Sequence, residues 1–184
     1  MNYFKFPIDL KFDKSKFLSD PSIISIVNYI EDFGLPLFNP QIVTPDFFKS
    51  LELLFKSPIK KSRIFVYPPN FNMSTSHIDG ISGELVRWAL NIPLFGTRNS
   101  TMNWFNVTDT VNNQLPHGDR SSALIYEITT TCVDSLELLS PYIVRTDAPH
   151  NVVNMKSTPR AILSVRFDSS IVDSIETMHK KFSC

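Results

Sequence analysis

The sequence predicts a mainly β domain, a double-sheet jelly roll of eight core strands with N-terminal helices packed on one sheet. Three observations lead there. Helical spacing of apolar residues is confined to the first sixty positions, short alternating runs rich in β-branched and aromatic residues fill the chain from Arg63 onward, and Pro, Gly, Asn and Ser clusters separate those runs. The 184 residues suit a single domain with its own buried core.

The helical part comes first. Asp20-Pro21 reads as a cap followed by proline at the first helical position, and Ile23, Ile24, Ile26, Val27 and Ile30 recur at helical spacing up to Gly34. Thr44-Pro45-Asp46 repeats the start signal, and Phe47, Phe48, Leu51, Leu53, Leu54 and Phe55 carry a second amphipathic helix to about Ser57, where Pro58 stops it. Residues 1–60 are thus read as helical support.

The strands follow at residues 63–68, 72–78, 85–95, 101–107, 122–129, 141–146, 150–155 and 160–167, so the β core spans 63–167. Eight short strands after two helices are what a double-sheet jelly roll requires. Residues 168–184 form a tail, with a closing helix expected over 171–182 and His179 solvated beside Lys180 and Lys181.

Composition narrows the function classes. Eighteen Lys and Arg balance eighteen Asp and Glu, so the chain has no electrostatic footprint for a nucleic-acid partner. Cys132 and Cys184 form no metal-binding pair and read as free thiols. Lys5 and Asp9 interrupt the apolar start, and no run approaches the roughly eighteen to twenty apolar residues that cross a bilayer. A cytoplasmic protein without membrane contact is the expectation.

The chemistry concentrates in a few residues. Residues i and i+2 of an extended segment point the same way, so His77-Ile78-Asp79 at a strand end can aim an imidazole and a carboxylate at one metal, with Gly80 permitting a sharp exit. His117-Gly118-Asp119 competes for that role. In a jelly roll the third ligand comes from the seventh strand, and the span from His77 to His150 leaves room for the four intervening strands, whereas His117 to His150 holds only two. The metal set is therefore His77, Asp79 and His150, two histidines and one carboxylate that leave coordination positions open.

Arg160 lies ten residues beyond His150. If the strands that begin at these residues are antiparallel neighbours, it stands about 10 to 13 Å along the barrel at roughly 3.3 Å per residue, a gap that a chelated five-carbon diacid spans. A planar guanidinium grips both oxygens of the far carboxylate. Arg166 shares that face, and the same register sets it at the metal end, which makes it the alternative partner for the carboxylate. Asn91 is a further candidate for the co-substrate if the polar set Arg87, Ala89 and Asn91 lines the cavity. Trp104 and Tyr126 are candidates for its wall, or core residues. Arg145 is a candidate for a substrate acid, or a surface arginine.

His77-Ile78-Asp79, His150, and Arg160 in Pro159-Arg160-Ala161-Ile162-Leu163-Ser164-Val165-Arg166-Phe167 together resemble the 2-oxoglutarate and Fe(II)-dependent oxygenase superfamily. Leu90-Asn91-Ile92-Pro93-Leu94 and Pro149-His150-Asn151-Val152 are most similar to its aspartyl/asparaginyl β-hydroxylase-like and prolyl-hydroxylase-like branches. The resemblance covers roughly residues 63–167. It implies a cupin-like double-stranded β-helix and Fe(II) held by His77, Asp79 and His150, with 2-oxoglutarate and O2 as co-substrates and ascorbate as a supporting reductant. The activity it implies is hydroxylation of a carbon, coupled to conversion of 2-oxoglutarate to succinate and carbon dioxide. The substrate would be an amino-acid side chain in a peptide or protein, or a similar small molecule. Many members carry a serine or threonine two residues after the arginine, where this chain has Ile162. Two other expectations stay open, a cupin-like metalloenzyme that does not use 2-oxoglutarate and a non-catalytic jelly-roll module.

Overall fold

The computed structural model of the chain describes residues 2–6, 37–38, 45–72, 75–81, 84–85, 87–106, 124–127, 131–167 and 179–180. In chain order the elements are β1 (Tyr3–Lys5), β2 (Leu37–Phe38), α1 (Pro45–Phe55), β3 (Ile59–Tyr67), β4 (Phe71–Asn72), β5 (Thr75–Ile78), β6 (Gly80–Ile81) and β7 (Glu84–Leu85). They continue with β8 (Trp88–Phe95), β9 (Ser100–Phe105), β10 (Leu124–Glu127), β11 (Cys132–Glu137), β12 (Tyr142–Arg145), β13 (His150–Asn154) and β14 (Arg160–Phe167). The protein is mainly β, and its strands pair antiparallel.

Two six-stranded sheets carry the fold. The first has the order β1-β12-β8-β14-β3-β2, and the second runs β10-β5-β13-β9-β11, with β4 paired to β13 off that path. The central strand β14 reads Arg-Ala-Ile-Leu-Ser-Val-Arg-Phe and is buried at every position. An all-buried strand holding two arginines needs a polar interior on one of its faces, and the alternation supplies it. Ala161, Leu163, Val165 and Phe167 join Ile64, Val66, Leu90 and Ile92 in a core on the outer side of the first sheet. Arg160, Ile162, Ser164 and Arg166 line a cavity on the other side.

Helix α1 covers that outer core with Leu51 and Phe55, and the Phe55 ring stacks on Phe167 at 4.0 Å. The proline start predicted for this helix is where it begins. The helix expected up to Gly34 and the closing tail helix fall outside the described residues, apart from 179–180. His179 is not merely solvated: it meets the Phe4 ring edge-on at 5.6 Å. Between the sheets a second core gathers Ala89, Val144 and Ile162 from the first sheet with Met102, Trp104, Leu136 and Leu138 from or beside the second. Among the described residues no helix is long and apolar enough to cross a membrane.

Residues 1–60, read as helical support, also contain β1 and β2, the two edge strands of the first sheet. Two further expectations about strands need correction. The stretch Cys132–Glu137 forms β11, although no strand was predicted there. Only Leu136 of its six residues is buried, so this edge strand carries too little apolar alternation to be seen in the sequence. In the second sheet β11 lies beside β9, and β10, within the predicted strand 122–129, sits at the opposite edge next to β5. The run from His77 to His150 therefore contains more than the four strands expected. The second correction is that β13 and β14 are not antiparallel neighbours. They belong to different sheets, and the turn between them carries the chain across the cavity. Asn154 braces that turn, its Nδ2 donating to the carbonyls of Pro68 at 2.8 Å and Thr158 at 3.0 Å.

Candidate metal centre

His150 opens β13 directly opposite His77 on β5, and paired residues on adjacent strands share a face, so both imidazoles enter the space between the sheets. Their ring centroids are 4.5 Å apart. Asp79 follows β5 by one residue, and its backbone N–H donates to the Thr146 carbonyl at 2.8 Å. One donor atom from each of His77, Asp79 and His150 lies within 4.8 Å of the others, and His77 Nε2 is 3.6 Å from Asp79 Oδ1. Metal bonds near 2.1 Å would draw these donors closer together than they stand here. The three residues read from the sequence as metal ligands are thus brought together.

Hydrogen bonds set which atoms face inward. His150 Nδ1 is 2.8 Å from the Ala148 carbonyl, which only accepts, so Nδ1 carries the proton and Nε2 presents a lone pair. The segment bearing Thr146 and Ala148 therefore braces two ligands at once. Asp79 Oδ2 accepts from Arg166 Nη2 at 2.6 Å, in a pair whose side chains are 13% and 6% exposed. Burial pushes the Asp79 carboxyl upward, but Arg166, His150, His77 and Arg63 outweigh it and hold the group below the usual carboxylate range.

Both histidines stay neutral more readily than in water. Burial and the neighbouring His150 lower His77 to about 4, against the opposing pull of Asp79. Burial likewise lowers His150, against Asp79 and the Ala148 hydrogen bond. Neutral imidazoles beside an ionised carboxylate are the state in which a divalent cation is bound, because no proton has to leave first.

The cavity that contains these groups encloses about 370 Å³ when the solvent-open space at its mouth is counted. Its second-sheet wall bears Met102 and Val152, and its first-sheet wall bears Phe65, Tyr67, Asn91 and the inward row of β14. Arg160 is completely buried there, and none of its Nε, Nη1 and Nη2 atoms has a hydrogen-bond partner. Its guanidinium carbon stands 5.1 Å from the Tyr67 ring centroid. A buried cation without a partner costs several kcal/mol, of which a desolvated ring contact returns about 2, so an anion is the partner that would compensate the rest. Burial also raises the Tyr67 hydroxyl to about 12 against the influence of Arg160, leaving it a neutral phenol.

Other candidates resolve individually. Of the polar set only Asn91 lines the cavity, with its Oδ1 unpartnered; Ala89 joins the apolar core between the sheets, Arg87 is exposed and pairs with Asp147, and Trp88, Leu90 and Ile92 face the outer core. Arg166 is in the cavity wall, yet its Nη2 is spent on Asp79 rather than offered to a co-substrate. Trp104 is not among the cavity's lining residues. It sits in the apolar cluster between the sheets, donating from Nε1 to the Arg145 carbonyl at 2.9 Å and stacking on Tyr3. Arg145 is a half-exposed surface arginine that pairs with Asp147 at 2.6 Å. Ser164, Ile162 and Thr146 also line the site, whereas His117 and the segment 108–121 lie outside the described residues, as does the Tyr126 side chain.

Tyr67 and Thr146 were missed by sequence reasoning. Tyr67 shares strand parity with Phe65, but its meeting with Arg160 depends on β3 pairing with β14, which no local pattern specifies.

The chain matches no protein-family model and no curated protein.

What the arrangement can do follows from its chemistry. Three donors of nitrogen and oxygen type on one side of an ion leave the other side open to ligands. An unpartnered guanidinium in the same cavity selects a ligand that ends in a carboxylate or another planar anion.

Proposed function

We propose that the protein is an Fe(II)- and 2-oxoglutarate-dependent oxygenase that hydroxylates a carbon of an amino-acid side chain, in a peptide or as a free small molecule. The observation that carries this reading is the fully buried, unpartnered Arg160 guanidinium in the same cavity as His77, Asp79 and His150. A metal site alone would fit many activities. A metal site facing a buried cation fits a co-substrate that chelates at one end and is anionic at the other, as 2-oxoglutarate is.

The strand order supports the fold that this reading needs. We take β3, β5, β8, β9, β11, β12, β13 and β14 as the eight core strands of a double-stranded β-helix. Within this set the chain changes sheet at every connection except β9 to β11, which pair directly. Such winding brings β5 and β13 side by side in one sheet and sets β14 in the facing one.

Each residue then has a defined task. His77, Asp79 and His150 hold the metal on one side only. When bound, that metal supplies the means to couple decarboxylation of 2-oxoglutarate by O2 to hydroxylation of a substrate carbon. Arg160 receives the far carboxylate and fixes how the co-substrate lies, and the Tyr67 ring backs the guanidinium so that it cannot turn away. Met102, Val152 and Ile162 add apolar surface to the cavity wall, and a less polar surrounding strengthens an ion pair formed inside. Asn91, level with Ser164 on the neighbouring strand, offers an amide to the bound acid.

The test is anaerobic addition of Fe(II) and then 2-oxoglutarate, with the visible metal-to-ligand charge-transfer band as readout. The band should grow with 2-oxoglutarate in the wild type and require far more of it in Arg160→Ala. Metal-loaded, folded protein without a band would defeat the proposal. A metalloenzyme that uses no diacid, or a non-catalytic module, gives that negative result. Succinate release, measured over a panel of peptides and amino acids, then addresses the substrate.

A further inference from the structure

We propose that Arg166 is a positioning residue that restricts Asp79 to a single metal-facing oxygen, and so keeps a coordination position open. This rests on the metal-centre reading above. The two oxygens of Asp79 have different surroundings. Oδ1 faces His77 Nε2 at 3.6 Å and belongs to the triad, whereas Oδ2 accepts from Arg166 Nη2 at 2.6 Å.

Neither partner is free to rearrange. Arg166 lies on β14, paired on one side to β8 and on the other to β3, and its guanidinium carbon stands 5.5 Å from the Phe65 ring centroid. The Asp79 backbone is pinned by its hydrogen bond to Thr146. For Oδ2 to swing onto a metal, a short charge-assisted hydrogen bond between buried groups has to break, and such bonds are roughly twice as strong as neutral ones.

The consequence concerns coordination number. Two imidazoles and a one-oxygen carboxylate occupy three of six octahedral positions, so a two-point diacid and one further small ligand fill the rest. A chelating carboxylate would occupy a fourth and leave too few. Arg166 therefore serves the co-substrate through Asp79, a role distinct from that of Arg160. The sequence placed Arg166 at the metal end of the strand, but its partner is the ligand carboxylate.

Cobalt(II) substitution under anaerobic conditions tests this without relying on turnover. In Arg166→Gln, Co(II) should still bind while its visible spectrum changes, and affinity for 2-oxoglutarate should fall roughly 10- to 100-fold, as expected when a partner of a metal ligand is lost. Arg166→Lys, which retains a cationic donor, should restore a wild-type-like spectrum and most of that affinity. An Arg166→Gln protein with unchanged spectrum and affinity overturns the inference, and so does equal loss in the Lys and Gln variants. Should Arg166→Gln fail to fold, X-ray absorption on Co(II)-loaded wild type decides. The short metal–carbon vector of a chelating carboxylate must be absent, and its presence overturns the inference. A wild type that binds no Co(II) sinks the metal centre and this role together, whereas a wild type that binds metal and diacid beside insensitive variants sinks this role alone.

Discussion

His77 and His150 stand directly opposite each other on adjacent antiparallel strands, with ring centroids 4.5 Å apart and planes inclined by 48°. Neither ring can leave the shared face without breaking its strand pairing. The donor pair is therefore set by the sheet, with little left to side-chain choice. His77→Ala and His150→Ala should each lower divalent-metal affinity by more than the roughly 100-fold that loss of a supporting partner produces. Calorimetric titration with Co(II) or Zn(II) checks this, and wild-type-like binding in either variant would refute the pairing's role.

Arg160 should be a liability for stability when no anion is bound. Replacing this buried, unpartnered cation with methionine removes an uncompensated charge and keeps most of the volume. Arg160→Met is expected to raise the stability of the metal-free protein by about 1 to 3 kcal/mol, a few degrees in Tm for a chain of this size. Addition of 2-oxoglutarate with metal should then stabilise the wild type but not the variant. A lower Tm in metal-free Arg160→Met would contradict the view that the guanidinium lacks compensation.

Acid should weaken the fold earlier than carboxylate titration alone predicts. His77 titrates near 4 in the folded protein and near 6.5 when unfolded. Between those values the unfolded chain binds a proton that the native state refuses, so stability falls as pH drops from about 6.5 to about 4, by an amount on the order of 3 kcal/mol. Asp79, held low, adds a further loss that begins as the pH enters the ordinary carboxylate range and continues down through its lowered folded value. Thermal unfolding followed from pH 8 to 4 should show the decline starting above pH 5. A flat profile down to pH 4.5 would count against the buried neutral histidine.

Gly96 links the end of β8 to the start of β14. Its φ is +64°, and a Cβ there would come within 2.0 Å of the Pro159 carbonyl oxygen, immediately before Arg160. Gly96→Ala should cost more than the roughly 1 to 2 kcal/mol of left-handed backbone strain, because the turn must also move. The variant is expected to lose 2-oxoglutarate affinity while keeping metal affinity. Equal losses of both would show that the turn does not act through Arg160.

Much of the site was legible because strand geometry is local. A two-residue period is written in each run, so the common face of His77 and Asp79 and that of Arg160 and Arg166 could be read without knowing any neighbour. The polar alternation of Arg87, Ala89 and Asn91 was equally visible, yet which side faced the cavity was not, since a solvated outer face gives the same pattern. The face was decided when α1 and the phenylalanines of β1 and its flank claimed the side bearing Trp88, Leu90 and Ile92.

Trp104 shows the opposite failure. Its size and strand position suited a pocket wall, but the indole is held by the Arg145 carbonyl and by Tyr3, residues distant in sequence. The edge strand β11 escaped notice for the reason that makes it an edge: it buries too little to leave an apolar signature.

By itself the sequence determined the β character, the spacing of the candidate metal-binding residues His77, Asp79 and His150, and the parity that sends Arg160 and Arg166 the same way. The tertiary structure decided that β13 and β14 face each other from different sheets, that Arg166 meets Asp79, and that Arg160 is left without a partner. The division has a physical cause. Side-chain direction along a strand follows from the backbone of that strand alone, whereas strand partnership depends on turns and on competition among distant apolar faces, which is settled only when the whole chain packs.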